Sequence, residues 1–240
     1  MIDKLLHRLS RYGPPSEEEA AALAAIMTPP RMIPAGVEMI RQFSKPTEST
    51  LLLSGMVGRV VLLQGGARQI TAIQVPGDFV DLHGFLLSRM DHSVTALGPC
   101  TIITAPHAEL RRLTDRYPRL GRALWFLTLV DASIHRHWLT VIGRRDAVGG
   151  AAHLLCELYV RLDDVGLVRD GAFSLPLTQA EVADVLSLSS VHVNRVIQDL
   201  RSLGLVKWDR RSVQVLDWAR LRETAEFEPT YLQLEYQIET

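Results

Sequence analysis

The stretch at positions 177–206, LTQAEVADVLSLSSVHVNRVIQDLRSLGLV, restricts the fold of this chain more than any other. It divides into a short helix, a tight turn and a longer helix. Thr178 is a fit N-cap with Glu181 three residues later, and Val182, Ala183, Val185 and Leu186 make the apolar stripe of the first helix. Small Ala183 admits the next helix, Leu188 in the Ser187-Leu188-Ser189 turn plugs the space between the two, and Ser189 caps the second. Val193, Val196, Ile197 and Leu200 form the second buried stripe, leaving Ser190, Val191, Asn194, Arg195 and Gln198 facing outward. This is the pattern of a helix-turn-helix, although many αα-hairpins share such stripes. Context narrows it. Gly204-Leu205-Val206 ends the second helix, and residues 207–216 read as a hairpin wing turning at Asp209-Arg210-Arg211. Lys207, Arg210 and Arg211 gather positive charge at its tip, where phosphates are met.

Upstream the texture differs. Between residues 32 and 106, apolar runs at 50–53, 57–63, 69–75 and 94–96 alternate with turn signals at Pro34-Ala35-Gly36, Ser54-Gly55, Gly65-Gly66 and Pro76-Gly77-Asp78. That spacing predicts a small antiparallel sandwich or barrel, a β-roll. Residues 1–27 read as helix, interrupted at Gly13-Pro14-Pro15 and restarted by Ser16 with Glu19 as its capping partner. Past Pro106 a short helix covers 107–116, and a long one opened by Pro118 runs to about residue 145. In it Leu120, Leu124, Leu127, Asp131, Ile134, Trp138 and Val141 recur at alternating spacings of four and three, which predicts a dimer-forming seam. The competing reading is a helix packed on its own β-roll, for which Ala123, Leu129 and Val130 widen the apolar face. Asp131 on the seam needs a partner, as a register device or paired with Arg or His of a second chain. A helix over 146–162 follows, then a loop or short hairpin at 166–175 around Asp170-Gly171. The boundary between modules falls at 143–150, where Gly149-Gly150 either loosens the helix start and allows rotation or permits close packing.

Composition excludes several classes. A chain of 240 residues, 47% apolar and 22% charged, has room for two modules and is neither disordered nor fibrous. No apolar run reaches the roughly 18 to 20 residues of a membrane span. Asp3, Lys4, His7 and Arg8 interrupt any signal-peptide core, so a cytoplasmic protein is expected. Cys100 and Cys156 are too few for a disulfide framework, a Cys-rich zinc site or an all-Cys iron–sulfur cluster, and both read as buried small hydrophobes. The net charge of −1 opposes nucleic-acid binding only as an average. Residues 107–145 carry eight arginines against Glu109, Asp115 and Asp131, while residues 223–240 carry five glutamates and no base.

With its parts in this order, the sequence resembles the Crp/Fnr family of bacterial transcription regulators over nearly its whole length. The resemblance rests on the β-roll with its Pro76-Gly77-Asp78-Phe79 turn, the long helix, the winged helix-turn-helix, and the run from Ser189 to Arg195, where a Ser cap precedes an outward Arg by six residues. It implies an α+β fold in four parts. These are a sensor domain with an antiparallel β-roll of double-stranded β-helix or jelly-roll type (1–116), a dimerisation helix (117–145), a winged helix-turn-helix (146–222) and an acidic tail (223–240). The tail, with Phe227, Tyr231, Leu232 and Tyr236, either packs on the body or discourages nonspecific DNA contact through its acidity. The resemblance further implies a homodimer on double-stranded DNA that reads an inverted repeat with the 189–201 helix, with RNA polymerase as a further partner. Arg195 falls where the family commonly reads guanine, and Ser190, Val191 and Asn194 are the other base-edge candidates. The family often has Glu where this chain has Val191, which meets a thymine methyl rather than accepting from cytosine, so an altered half-site is expected. Thr178, Gln179, Ser189, His192, Lys207, Arg210 and Arg211 are the candidates for positioning the DNA backbone.

The sensor half departs from the family's cyclic-AMP cassette. Leu82 stands at a Glu position and His92 at an Arg position, and Asp81 and Asp91 would repel a phosphate, so cyclic nucleotide is not expected. Asp81, Leu82, His83, His92 and Ser93 are left as a pocket for an unidentified small-molecule effector, or as a packing surface without one. His83 and His92, with Asp81 and Asp91, read either as a metal or small polar-ligand site or as solvated loop residues, and the second reading implies no metal. Neither an iron–sulfur cluster nor haem is expected. Two rival functions are a metal-dependent cupin-like enzyme using His83, His92 and His107, for which the β-roll lacks the His-x-His motif and downstream Glu, and a protein-interaction scaffold without operator binding. The regulator reading implies no catalytic residues.

Overall fold

The computed structural model describes residues 1–234; positions 235–240, Tyr236 among them, lie outside the described residues. Two helices lead in, α1 (Asp3–Leu9) and α2 (Glu17–Ala25). Ser16 Oγ accepts from the Glu19 amide at 3.1 Å and Glu19 Oε2 accepts from the Ser16 amide at 2.8 Å, closing the expected capping box. Then come β1 (Arg31–Ile33), β2 (Glu38–Ile40), β3 (Glu48–Ser54), β4 (Val57–Leu62), β5 (Arg68–Gln74), β6 (Ser93–Ala96) and β7 (Cys100–Pro106). They pair antiparallel in two sheets, ordered β1-β7-β3 and β2-β6-β4-β5, which face each other as the roll. At the β3–β4 turn Gly55 has φ +85°, and a Cβ there would lie 2.5 Å from the Pro99 carbonyl, so only glycine lets the sheets come this close.

The helical half begins with α3 (His107–Arg116), α4 (Pro118–Arg144) and α5 (Ala147–Asp163). It continues through β8 (Ala172–Ser174), α6 (Gln179–Leu186), α7 (Ser190–Ser202), β9 (Val206–Asp209), β10 (Ser212–Val215) and α8 (Trp218–Thr224). The last three strands form the wing sheet, ordered β8-β10-β9, and Asp170-Gly171, with φ 50° and 72°, turn the chain into β8.

The heptad seam of α4 is buried inside its own chain, which corrects its assignment to a dimer. Leu120 and Leu124 join Leu5, Leu9 and Leu110 in one core, with Leu127 packed at its edge. Ile134 and Trp138 join Leu154 and Leu158 in another, and Val141 is buried beside Gly150. Asp131 accepts from Arg59 at 2.5 Å and from Gln74 at 3.2 Å, both intrachain. A four-three periodicity specifies a buried stripe but not which surface buries it, and here α1, α3, the roll and α5 do so. The large apolar residues left outside are Trp125, 62% exposed, Leu129, 52%, Leu139, 72%, and Ile142, 41%.

The chain turns at Arg145 and Asp146, but the hydrophobic core does not divide there. Met56, Val60, Ile70 and Val75 of the roll share one cluster with Leu154, Leu155, Val185 and Leu186. Of the two readings of Gly149-Gly150, close packing holds: a Cβ on Gly149 would lie 3.3 Å from the Thr224 carbonyl. Nor does a separate tail start at residue 223. Helix α8 runs across that position, and Phe227, Tyr231 and Leu232 are buried, the Tyr231 ring stacking on His137 at 3.8 Å. Apolar spacing in an acidic segment is enough to dock it once α4 and α5 supply a surface.

One carboxylate ties these parts together. Asp78 pairs with Arg8 of α1 at 2.9 Å and with Arg161 of α5 at 2.8 Å, and accepts from the Val75 amide at 2.8 Å. Arg161 also meets Glu157 at 2.9 Å, and Glu157 accepts from Trp138 at 3.0 Å and Tyr231 at 2.8 Å. Removing one member of such a buried network strands the others. Asp78→Ala is expected to cost about 3–5 kcal/mol in urea unfolding, part of it recovered by adding Arg161→Met; a loss below about 1 kcal/mol would refute this role.

Candidate nucleic-acid interface

The two-helix unit is built by its caps. Thr178 Oγ accepts from the Glu181 amide at 3.2 Å and Glu181 Oε2 accepts from the Thr178 amide at 2.7 Å, starting α6. Val182, Ala183, Val185 and Leu186 are buried, and the helix stops at Ser187, whose left-handed φ of 56° turns the chain. Leu188 packs against the core, and Ser189 Oγ accepts from the His192 amide at 3.2 Å to start α7. Val193, Val196, Ile197 and Leu200 face inward. Ser190, Val191, His192, Asn194, Arg195 and Gln198 are exposed.

The wing turns through Arg210, at φ 46°, and exposes Lys207, Arg210 and Arg211. Between the start of α6, α7 and the wing lies a groove of about 330 Å³, lined among others by Gln179, Asn194, Gln198, Arg201, Arg210 and Arg211. Gln179 and Asn194 are joined here, the Gln179 amide donating to Asn194 Oδ1 at 2.7 Å. Asn194 of the base-edge candidates and Thr178, Gln179, Arg210 and Arg211 of the backbone candidates therefore line one groove. Sequence reasoning put Gln198 outward but left it out of the contact set. Arg201, which the sequence does not single out, donates from its guanidinium to the Trp208 carbonyl and braces α7 against the wing. An i to i+7 bond into a following strand leaves no signal in helical periodicity.

The sensor residues separate. Asp81 is buried and bonded to β3: Oδ1 accepts from the Thr50 amide at 2.5 Å. Burial pushes its carboxyl up to about 7, against the pull of the Thr50 hydrogen bonds and Arg59. It fastens a strand, so the expected repulsion of a phosphate by Asp81 is withdrawn. Leu82 is buried, and Ser93 accepts from the Gln42 amide at 3.0 Å and donates to Glu38 at 2.6 Å. Of the five proposed pocket residues only Leu82 and His83 reach the cleft between the roll and α4, which encloses about 50 Å³. Arg59 and Gln74, converging on Asp131, close it. His83 and His92 are not solvated loop residues: their rings lie 5.0 Å apart, His92 is buried and His83 half-buried. His107 does not join them, its Nε2 lying 3.1 Å from Ser49 Oγ, so the three ligands of the cupin reading do not converge. Cys100 and Cys156 are free and buried, and burial pushes the Cys156 thiol up to about 12. Among the described residues no helix is long and apolar enough to cross a membrane.

Comparison with known proteins agrees with both halves. Residues 30–117 match the cyclic nucleotide-binding domain and residues 151–224 the Crp-like helix-turn-helix domain. The chain is 30% identical over 201 residues to the transcriptional activator protein FnrL of Cereibacter sphaeroides, covering 81% of this chain and 79% of FnrL. It is 29% identical over 177 residues to the nitrogen fixation regulation protein FixK of Bradyrhizobium diazoefficiens, covering 72% of each. The solved structure of FixK2 from Bradyrhizobium japonicum superposes with a TM-score of 0.71 at 19% identity, over 82% of this chain and 96% of FixK2.

The buried Asp81 carries a pH signature. An unfolded Asp titrates near 3.9, while the folded group titrates near 7, so the native state holds the proton more tightly and stability falls as pH rises between these values. Asp81→Asn, with no charge to bury, is expected to flatten that decline in urea-unfolding midpoints between about pH 4 and 7; an unaltered slope would contradict it.

Proposed function

The chain belongs to the Crp/Fnr family of transcription regulators, and on that premise we propose that it is a homodimeric, sequence-specific DNA-binding regulator that reads an inverted repeat with α7. The observation that carries this reading is the exposed row Ser190, Val191, Asn194 and Arg195 beside a wing tip bearing Lys207, Arg210 and Arg211. Arg195 reads a guanine edge and Val191 meets a thymine methyl, with Ser190, Asn194 and Gln198 on neighbouring edges. Thr178, Gln179, Ser189, His192 and the wing cations position the duplex through its phosphates.

Dimerisation is assigned to the outward face of α4. Trp125, Leu129, Ala132, Arg136 and Leu139 repeat there at four-three spacing, and two copies packed along this stripe bury its apolar side chains. Twofold symmetry then sets the two α7 helices one DNA turn, about 34 Å, apart. A cleft of about 50 Å³ filled by an ion pair favours control by something other than cyclic AMP, since ligand pockets usually hold roughly 300–1,000 Å³. Two buried cysteines likewise favour a regulator without an iron–sulfur cluster. RNA polymerase, as the partner of transcriptional activators such as FnrL, and a cytoplasmic location complete the reading. The cupin alternative leaves the helix-turn-helix unexplained, which disfavours it.

Selection of bound sequences from random DNA tests the core of this proposal. Enrichment of an inverted repeat is expected, and no enrichment would favour the scaffold alternative. Arg195→Ala should lose about 1–3 kcal/mol of preference at one guanine, while Lys207→Ala weakens all sequences and reduces the salt slope by about 1. Equal loss on every sequence would remove Arg195 from base reading. Leu129→Arg is expected to shift the protein from dimer to monomer in sedimentation, and an unchanged dimer would place the interface elsewhere.

A further inference from the structure

We propose that His83 and His92, with Asp91 orienting the second ring, form a binding site for one divalent transition-metal ion of borderline softness in the segment between β5 and β6. His83 lies on a 3-10 turn (Leu82–Phe85) and His92 immediately precedes β6. The Nε2 atom of each ring is sealed from solvent and has no hydrogen-bond partner. A buried polar atom left unpaired bears its desolvation cost without compensation, so two on adjacent rings point to a missing shared partner. One ligand atom from each of the two histidines and Asp91 lies within 4.8 Å of the others. Metal–nitrogen bonds of about 2.0–2.1 Å in a tetrahedral site put ligand atoms about 3.3 Å apart, a gap that small side-chain rotations close.

The protonation states suit a cation. His92 Nδ1 lies 2.8 Å from Asp91 Oδ1, so it carries the proton and donates it, leaving the Nε2 lone pair free; a carboxylate commonly orients a metal-bound imidazole in this way. Arg59 is the nearby cation of both rings. Arg59 itself is spent on Asp131 and on the Val80 carbonyl at 2.9 Å, so Asp91 supplies the negative charge that remains beside the pair. The backbone is already pinned: Gln42 donates to the Asp91 carbonyl at 2.8 Å. The Asp91 side chain is 77% exposed, which gives an ion its route in and leaves outer coordination positions to water. Two imidazoles backed by a carboxylate, with water completing the coordination, select Zn²⁺, Co²⁺, Ni²⁺ or Fe²⁺ over Mg²⁺ and Ca²⁺. The site goes beyond the DNA-binding reading, and its test uses no DNA, so either can fail without the other.

Tag-free full-length protein is titrated with ZnCl₂ in a calorimeter and with CoCl₂ followed by visible absorption. One ion per chain is expected, with d–d bands for Co²⁺ and no displacement by millimolar Mg²⁺. His83→Ala and His92→Ala should each weaken binding at least about 100-fold, and Asp91→Asn about 10- to 100-fold. His7→Ala, at an exposed histidine, should leave binding unchanged. His92→Asn, with circular dichroism of every variant, separates loss of a ligand from loss of fold. Absence of stoichiometric binding, or binding equal in wild type and folded His83 and His92 variants, would overturn the assignment.

Discussion

Two guanidinium groups from distant parts of the chain meet on the carboxylate of Asp78, and the relation between the β-roll and the helical half depends on that meeting. Arg8 arrives from α1 and Arg161 from α5, while Asp78 is held by the Val75 amide in the Pro76-Gly77-Asp78 turn. A charged pair in a poorly hydrated setting gains little net stability, because desolvation offsets most of the Coulomb attraction. Its effect is on arrangement: few placements of α1 and α5 satisfy both arginines at once. The network continues through Glu157 to Trp138 of α4 and Tyr231 of the C-terminal segment, so four separate pieces of chain are oriented by one set of polar contacts.

A second set clamps the reader to the roll from the other side. Arg68 of β5 pairs with Asp184 of α6 at 2.6 Å, Gln69 donates to the Val185 carbonyl at 3.1 Å, and Ser187 donates to Gln69 at 2.8 Å. Between the two clamps runs a continuous apolar core shared by roll and reader. Reorienting α7 against α4 therefore means breaking contacts with β5, not merely bending at Arg145. Arg59 links the segment carrying His83 and His92 to Asp131 on α4 through the Val80 carbonyl. Against the cost of burial, Arg59 and His135 hold the Asp131 carboxyl down near 2, so this link stays charged across the physiological range.

Much of the fold was legible in the sequence because its signals are local. The Ser16–Glu19 and Thr178–Glu181 capping boxes, the Pro118 helix start and the stripes of α6 and α7 each depend on residues three or four apart, and all stand in the structure. The seam of α4 shows the limit of this reasoning. Helix α4 carries two stripes of alternating three and four spacing on different faces, Leu124-Leu127-Asp131-Ile134-Trp138 and Trp125-Leu129-Ala132-Arg136-Leu139, and only the first is satisfied by the chain itself. The more apolar stripe was assigned to a partner, yet the core took it. Hydrophobic burial is indifferent to whether the covering surface belongs to the same molecule.

By itself the sequence determined the α+β class, the order of roll, long helix and winged reader, and the outward row from Ser190 to Arg195. Each follows from periodicity, caps and turns that act within a few residues. Tertiary structure alone decided what long side chains from distant segments meet. It turned Asp81 from a presumed phosphate repellent into a buried strand tie, set Arg201 as a brace for the wing, folded residues 223–234 onto α4 and α5, and brought His83 and His92 within 5.0 Å of each other. Such encounters depend on packing across tens of residues of chain, and no local pattern encodes the partner.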